Sequence, residues 1–275
     1  MNKAGKHTPP FRSITEAIAR TLRESFIAAL ATLVVAPESV GAKILIEESG
    51  AHTGSLGDDE LNEIIAQHAQ LFLASRAEAA TFDAKDLDFA RVSKKWADAR
   101  VLFERIEPEP RVVVCGAGHV GAQLAQLARL VNYRATLIDD RADFVRRERF
   151  PDENIELVVA ENWRAATRRV IGTGRGVYVA IVTRGHTEDE ECLRAVVEAQ
   201  PDYVGLIGSK RRTNIVLQRL RAEGVDENRL KEIRAPIGLD IAAVSPEEVA
   251  LAILAEMIAV RRGGRGSSLS AWRRK

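Results

Sequence analysis

The chain has 275 residues, 46% hydrophobic and 29% charged, which is a globular composition with enough length for one large or two modest domains. Forty basic residues face 39 acidic ones, and a net charge of +1 supplies no bulk field for nucleic acid. No apolar run reaches the ~18 residues of a membrane span, so no membrane association is expected.

The first twelve residues hold Lys3, Lys6, His7 and Arg12 and no acid, and read as a mobile arm. A helix is predicted over Ser13–Arg23, strands over Phe26–Val35 and Ala42–Glu47, and a turn-rich stretch over Gly50–Gly57. A helix with acids in its first turn follows over Asp58–Arg76, where the dipole favours them. Strands are predicted near Ala79–Phe82 and Val101–Ile106. Glu107-Pro108-Glu109-Pro110 reads as a stiff linker, because consecutive X-Pro units resist helix. The domain boundary is placed there, giving residues 1–106 and 107–275.

Beyond the linker, strands alternate with helices. The strands are Val112–Cys115, Ala135–Asp139, Leu157–Ala160, Val177–Thr183 and Tyr203–Ile207. Helices are predicted at His119–Val131, Asp143–Arg147, Trp163–Ile171, Thr187–Ala199 and Lys210–Glu223. The βαβα order implies an α/β fold, a Rossmann-like doubly wound parallel sheet following a smaller α+β domain. Ser245-Pro246-Glu247-Glu248 is a capping box with proline at the first helical position. The apolar stretch 249–260 carries Glu256 and reads as a buried helix, and Arg261–Lys275 as a basic disordered tail. Cys115 and Cys192, with no leader-like start, point to a reducing cytoplasm rather than a disulfide framework.

The densest signal is Gly116-Ala117-Gly118-His119-Val120-Gly121, lying between a strand and a helix, with Asp139 at the end of the next strand, 23 residues after Gly116. The three glycines of such a turn serve a tight bend, close backbone approach to a pyrophosphate, and close helix–strand packing. The helix N-terminus then faces the phosphate. An acid at Asp139 would bond a ribose 2′-hydroxyl and disfavour a 2′-phosphate.

Two more loops fall at strand ends, where ligands of open parallel sheets bind. One is Thr183-Arg184-Gly185-His186, leading into a helix whose caps are read as Thr187 and Glu190. The other is Gly208-Ser209-Lys210-Arg211-Arg212. Three successive cations at a helix N-terminus oppose its dipole by about 0.3–1 kcal/mol each, a cost that a bound anion offsets. His186 reads as a ligand contact, a proton donor or a capping residue. The five histidines share no zinc-type spacing, there is no CxxC, and no catalytic constellation or metal site emerges.

Taken together, these segments resemble the XdhC/CoxI family. The resemblance rests on Val114–Gly121, Asp139-Asp140-Arg141, Glu148-Arg149-Phe150-Pro151, Thr183-Arg184-Gly185-His186 with Asp189, and Tyr203 through Lys210. Pro236-Ile237-Gly238-Leu239 and the capping box extend it, so that it covers residues 107–260. Val40-Gly41-Ala42-Lys43 and Gly54-Ser55-Leu56-Gly57 resemble the family's first domain more faintly. Asp58 and Asp59 depart from its pattern, and two acids there would repel an anionic cofactor.

The resemblance implies an accessory protein of molybdenum hydroxylases such as xanthine or carbon monoxide dehydrogenase. Such a protein binds the molybdenum cofactor, molybdopterin or its cytosine dinucleotide, assists its sulfuration and delivers it. The implied partners are the apo-hydroxylase, a sulfur donor of the cysteine desulfurase type and a second copy in a homodimer. The implied cofactor-binding residues are Gly116, Gly118, His119, Val120, Gly121, Asp139, Arg141, Thr183, Arg184, Gly185, His186, Gly208, Ser209, Lys210 and Arg211. The residues alone leave an NAD-dependent oxidoreductase as the alternative.

Overall fold

A computed structural model describes residues 13–87 and 94–270. The expected N-terminal arm lies outside the described residues. The chain divides into two units, Met1–Pro108 and Glu109–Lys275.

The first unit holds α1 (Ile14–Arg23), β1 (Ala28–Val35), β2 (Lys43–Glu47), β3 (His52–Ser55), α2 (Asp59–Ser75), β4 (Ala79–Asp83) and β5 (Arg100–Ile106). Its antiparallel sheet runs β3-β2-β1-β5-β4. Six successive residues of β1 are buried because both faces of the sheet are covered. Ala28 and Leu30 join α1 through Ala17, whereas Ala29, Ala31 and Leu33 join the α2 side chains Leu61, Ile65, Ala69 and Phe72. The period of two thus assigns alternate residues to different helices. Asp58 does not project as a free acid. It caps α2 by accepting the Leu61 N–H (2.9 Å) and lies 3.4 Å from the Trp96 indole nitrogen.

The second unit holds β6 (Arg111–Cys115), α3 (His119–Leu130), β7 (Arg134–Asp139), β8 (Ile155–Val159), α4 (Trp163–Ile171), β9 (Val177–Ile181), α5 (His186–Ala199), β10 (Tyr203–Leu206), α6 (Lys210–Ala222), α7 (Glu227–Glu232) and α8 (Pro246–Arg262). All five strands are parallel, in the order β10-β9-β6-β7-β8. Val113, Cys115, Val179 and Ile181 pack with α4, α5 and α6 on one face. Val112, Val114, Tyr178 and Ala180 pack with α3 and α8 on the other. This is a Rossmann-like doubly wound sheet. Its strand order reverses between β6 and β9, which opens a crevice at their carboxyl ends.

Gly121 shows how closely α3 is seated. A side-chain carbon there would lie 1.9 Å from the Gly116 carbonyl oxygen and 3.1 Å from Val114 Cγ1. Backbone cannot yield as a flexible side chain does, so Gly121→Ala should destabilise the unit by about 2 kcal/mol or more. An unchanged urea midpoint would refute this account of the contact.

Several boundaries differ from expectation, each for a local reason. His52–Ser55 is a strand because its backbone pairs with β2 despite the turn-prone residues around it. The helix expected at Asp143–Arg147 is only a 3₁₀ turn, Ala142–Phe144. Helix α5 starts at Gly185, which caps it through the backbone without a side-chain bond, so Thr187 is not its cap. Glu190 turns to Arg194 and Arg219 instead. Helix α7 has no counterpart among the expected elements. The basic tail begins inside α8: Arg261 and Arg262 form its last turn before Gly263 (φ 69°) ends it, and Arg261 lies over the Tyr133 ring. Cations are favoured at that end of the dipole. Residues 271–275 lie outside the described residues.

Among the described residues, no helix is long and apolar enough to cross a membrane. No group of three or more His, Cys, Asp or Glu among them is placed to hold a metal ion.

Candidate functional site

Because the strands are parallel, four sequence loops open at one edge of the sheet. The first follows β6. Gly116 has φ +114°, and a side-chain carbon there would lie 2.6 Å from the Val182 carbonyl oxygen, so only glycine lets the β6 and β9 loops pass this closely. Gly118 caps α3 without a side-chain bond, and a side-chain carbon at Gly118 would meet nothing within 4 Å. No side chain thus caps the N-terminal amides of α3, and there is room beside Gly118 at the start of the helix. His119 is exposed in the first helical turn, Val120 is half-buried, and Gly121 is buried against the loop.

The second loop follows β7. Asp139 is 1% exposed and holds the glycine turn from below. One oxygen accepts the Ala117 N–H (2.7 Å) and Arg141 Nη2 (2.9 Å); the other accepts the Arg141 N–H (3.0 Å) and Nε (2.8 Å). Four donors occupy the roughly four acceptor positions of a carboxylate. The expected ribose contact of Asp139 does not fit this arrangement. Burial works against the charge, but Arg141 and the two backbone amides outweigh it, and the carboxyl lies below its ordinary value. Asp140 is more exposed and takes a two-pronged bond from Arg184 of the β9 loop, at 3.0 and 2.7 Å. That pair ties the β7 loop to the β9 loop.

The third and fourth loops share a cavity of about 370 Å³, lined by Arg184, Gly185, His186, Ser209, Arg211, Arg212, Ile215 and Arg219. Its arginines are held from behind. Arg212 donates to Asp189 at 2.6 Å, and Asp189, fully buried, also accepts the Thr183 hydroxyl at 2.5 Å. Burial pushes the Asp189 carboxyl up, and Thr183 and Arg212 pull it only part of the way back. Arg219 donates to Glu190 at 2.8 Å. Gly208 is half-buried, and Lys210 is exposed at the start of α6; neither lines the cavity.

A family model described as the XdhC Rossmann domain matches residues 112–257, and one described as the XdhC and CoxI family matches residues 23–83. The chain belongs to the XdhC family. Its similarity to the Escherichia coli protein named Uncharacterized protein YqeB is 27% identity over 234 residues, 82% of this chain and 41% of that one. A Bacillus subtilis protein named as a probable xanthine dehydrogenase subunit is 27% identical over 162 residues, 59% of this chain and 46% of that protein. The Escherichia coli Molybdenum cofactor insertion chaperone PaoD is 39% identical over 69 residues, 25% of this chain and 22% of its own length. The XdhC-family chain thus spans less than half the length of these curated relatives. A crystal structure of a Bacillus halodurans protein described as a xanthine dehydrogenase shares the fold, with TM-score 0.50 at 18% identity, covering 94% of this chain and 98% of that one.

Within this XdhC-family chain, Arg212 lines the cavity as one of the three cations expected at an anion, and Asp140, Glu188, Asp189, Ile215 and Arg219 take part in the site although they were not among its expected ligand contacts; Glu188 lies 3.5 Å from Arg184 Nε. The signal for Ile215 and Arg219 was present. Arg212, Ile215 and Arg219 recur at intervals of three and four residues, which puts them on one face of α6. Asp140 carried no such signal, because its role depends on the reach of Arg184 from another strand.

Proposed function

We propose that the protein is an accessory factor of a molybdenum hydroxylase that binds the molybdenum cofactor and hands it to the apo-enzyme. The observation that carries this reading is the uncapped α3 N-terminus at Gly118, set at the strand-order reversal with room beside it and membership of the XdhC family around it. Free amides at a helix N-terminus take a phosphate or pyrophosphate. Gly116, Gly118, His119, Val120 and Gly121 would form that cradle, with Asp139 and Arg141 holding its shape. Thr183, Arg184, Gly185, His186, Gly208, Ser209, Lys210 and Arg211 would surround the remaining ligand with donors and positive charge. The names of the Escherichia coli chaperone and the Bacillus subtilis protein support the maturation reading.

A carrier needs tight, reversible binding and no general base, in keeping with a cradle built from amides and arginines. The client would be a xanthine or carbon monoxide dehydrogenase-type enzyme, with a cysteine desulfurase-type protein supplying sulfur and a homodimer as the working form. The second reading, an NAD-dependent oxidoreductase, draws on the same glycine turn. Asp139 weakens it, since that carboxylate is already filled by four donors.

Anaerobic calorimetric titration with molybdenum cofactor and separately with NAD tests the choice. Cofactor binding at one equivalent per chain with no heat from NAD is the expected result. NAD binding alone would overturn it.

A further inference from the structure

We propose that the cavity between α5 and α6 is a second anion subsite, which takes a tetrahedral oxyanion apart from the phosphate at the glycine turn. The inference rests on the cofactor reading for the identity of the whole ligand, but not for the anion itself. Four arginines and His186 line the cavity, and no acid does.

The carboxylates that steady these arginines stand behind them. Asp189 is fully buried and paired with Arg212, Glu190 with Arg219, and Arg184 is held by Asp140 and lies 3.5 Å from Glu188, whose carboxylate sits against Gly185 at the cavity edge. Arg212 is largely spent on Asp189, Thr183 and the Arg184 carbonyl, whereas Arg184 and Arg219 use only some of their five donors on Asp140 and Glu190, so N–H groups of these two remain for a ligand. Their orientation is set before any ligand arrives, which lowers the ordering cost of binding. Arginine forks match tetrahedral oxyanions in geometry as well as charge. Arg211 completes the ring and has no ion pair or hydrogen bond among the described residues. It sits at the N-terminal turn of α6, where the dipole already disfavours a cation; a bound anion removes that conflict. Ile215 gives the cavity an apolar wall on which the organic part of a phosphate ester would rest.

The test is titration calorimetry of the full chain at low salt, with inorganic phosphate and then with molybdate. Wild type, Arg211→Glu and Arg169→Glu are compared; Arg169 is an exposed residue of α4 and controls for the change in net charge. Wild type and Arg169→Glu should bind phosphate alike, and Arg211→Glu should weaken it about tenfold or more. Preference for phosphate assigns the subsite to a phosphoryl group, and preference for molybdate to an oxo-metal group; either supports the subsite. No binding of either ion, or equal binding by Arg211→Glu, overturns it. Phosphate lost from Gly118→Val but kept by Arg211→Glu overturns it as well, by seating the anion on the glycine turn. A chain that binds phosphate in the expected way but not the molybdenum cofactor keeps the subsite and loses the proposed function.

Discussion

Gly118→Val should abolish binding of the molybdenum cofactor while leaving the fold intact. The backbone at Gly118 has φ −66° and ψ −170°, which any residue adopts, and a side-chain carbon there meets nothing within 4 Å. Valine therefore costs the apo-protein little. Its methyl groups would fill the space through which a pyrophosphate approaches the α3 amides. Charge-assisted bonds to such amides contribute about 1.5–3 kcal/mol each, so losing two predicts a drop of about a hundredfold or more. Calorimetric titration gives the affinity and a thermal melt gives the fold. An unchanged affinity in a folded variant would sink the phosphate-site assignment. Gly121→Ala makes the opposite contrast: there the added carbon strikes backbone, and stability is lost before any ligand is considered.

Asp139→Ala should destabilise the second unit by about 2–4 kcal/mol, because it strands a half-buried guanidinium and the Ala117 amide without their acceptor. Urea denaturation measures it. The pH dependence gives an independent check. The folded carboxyl lies below its ordinary value of 3.8, so its contribution is complete above that value and is lost as pH falls through the folded one. Between about pH 5 and about pH 2 the wild type should lose more stability than Asp139→Ala does. Asp189 acts with the other sign. Its folded carboxyl is raised, so its contribution shrinks as pH rises from 3.8 toward the folded value. Parallel acid limbs in wild type and Asp139→Ala would show that Asp139 is not the charged clamp described here.

Much of the fold was legible because its signals are local. The run Arg111–Cys115, the glycines that follow it and the acid at the next strand end all lie within about thirty residues, the scale of one βαβ unit. Trp163–Ile171 and the capping box before α8 were equally plain, since Asn162 and Ser245 each bond the amide three residues on. His52–Ser55 was obscured because its strand character comes only from pairing with β2. The part that Asp58 plays in the fold was hidden in a similar way: its carboxylate accepts the Leu61 amide and caps α2.

The sequence by itself determined the alternation of strands and helices in the second unit, the phosphate-type turn, the capping box of α8 and the family resemblance. These depend on residues a few positions apart, whose spacing is set by helix and strand geometry. Only the tertiary structure decided what the charged residues do. Asp139 serves the glycine turn, Asp140 meets Arg184 across 44 positions, and Asp189 meets Arg212 across 23. A carboxylate's role is set by which donors reach it and how much water remains around it. Both quantities come into being only when distant loops converge on one edge of the sheet.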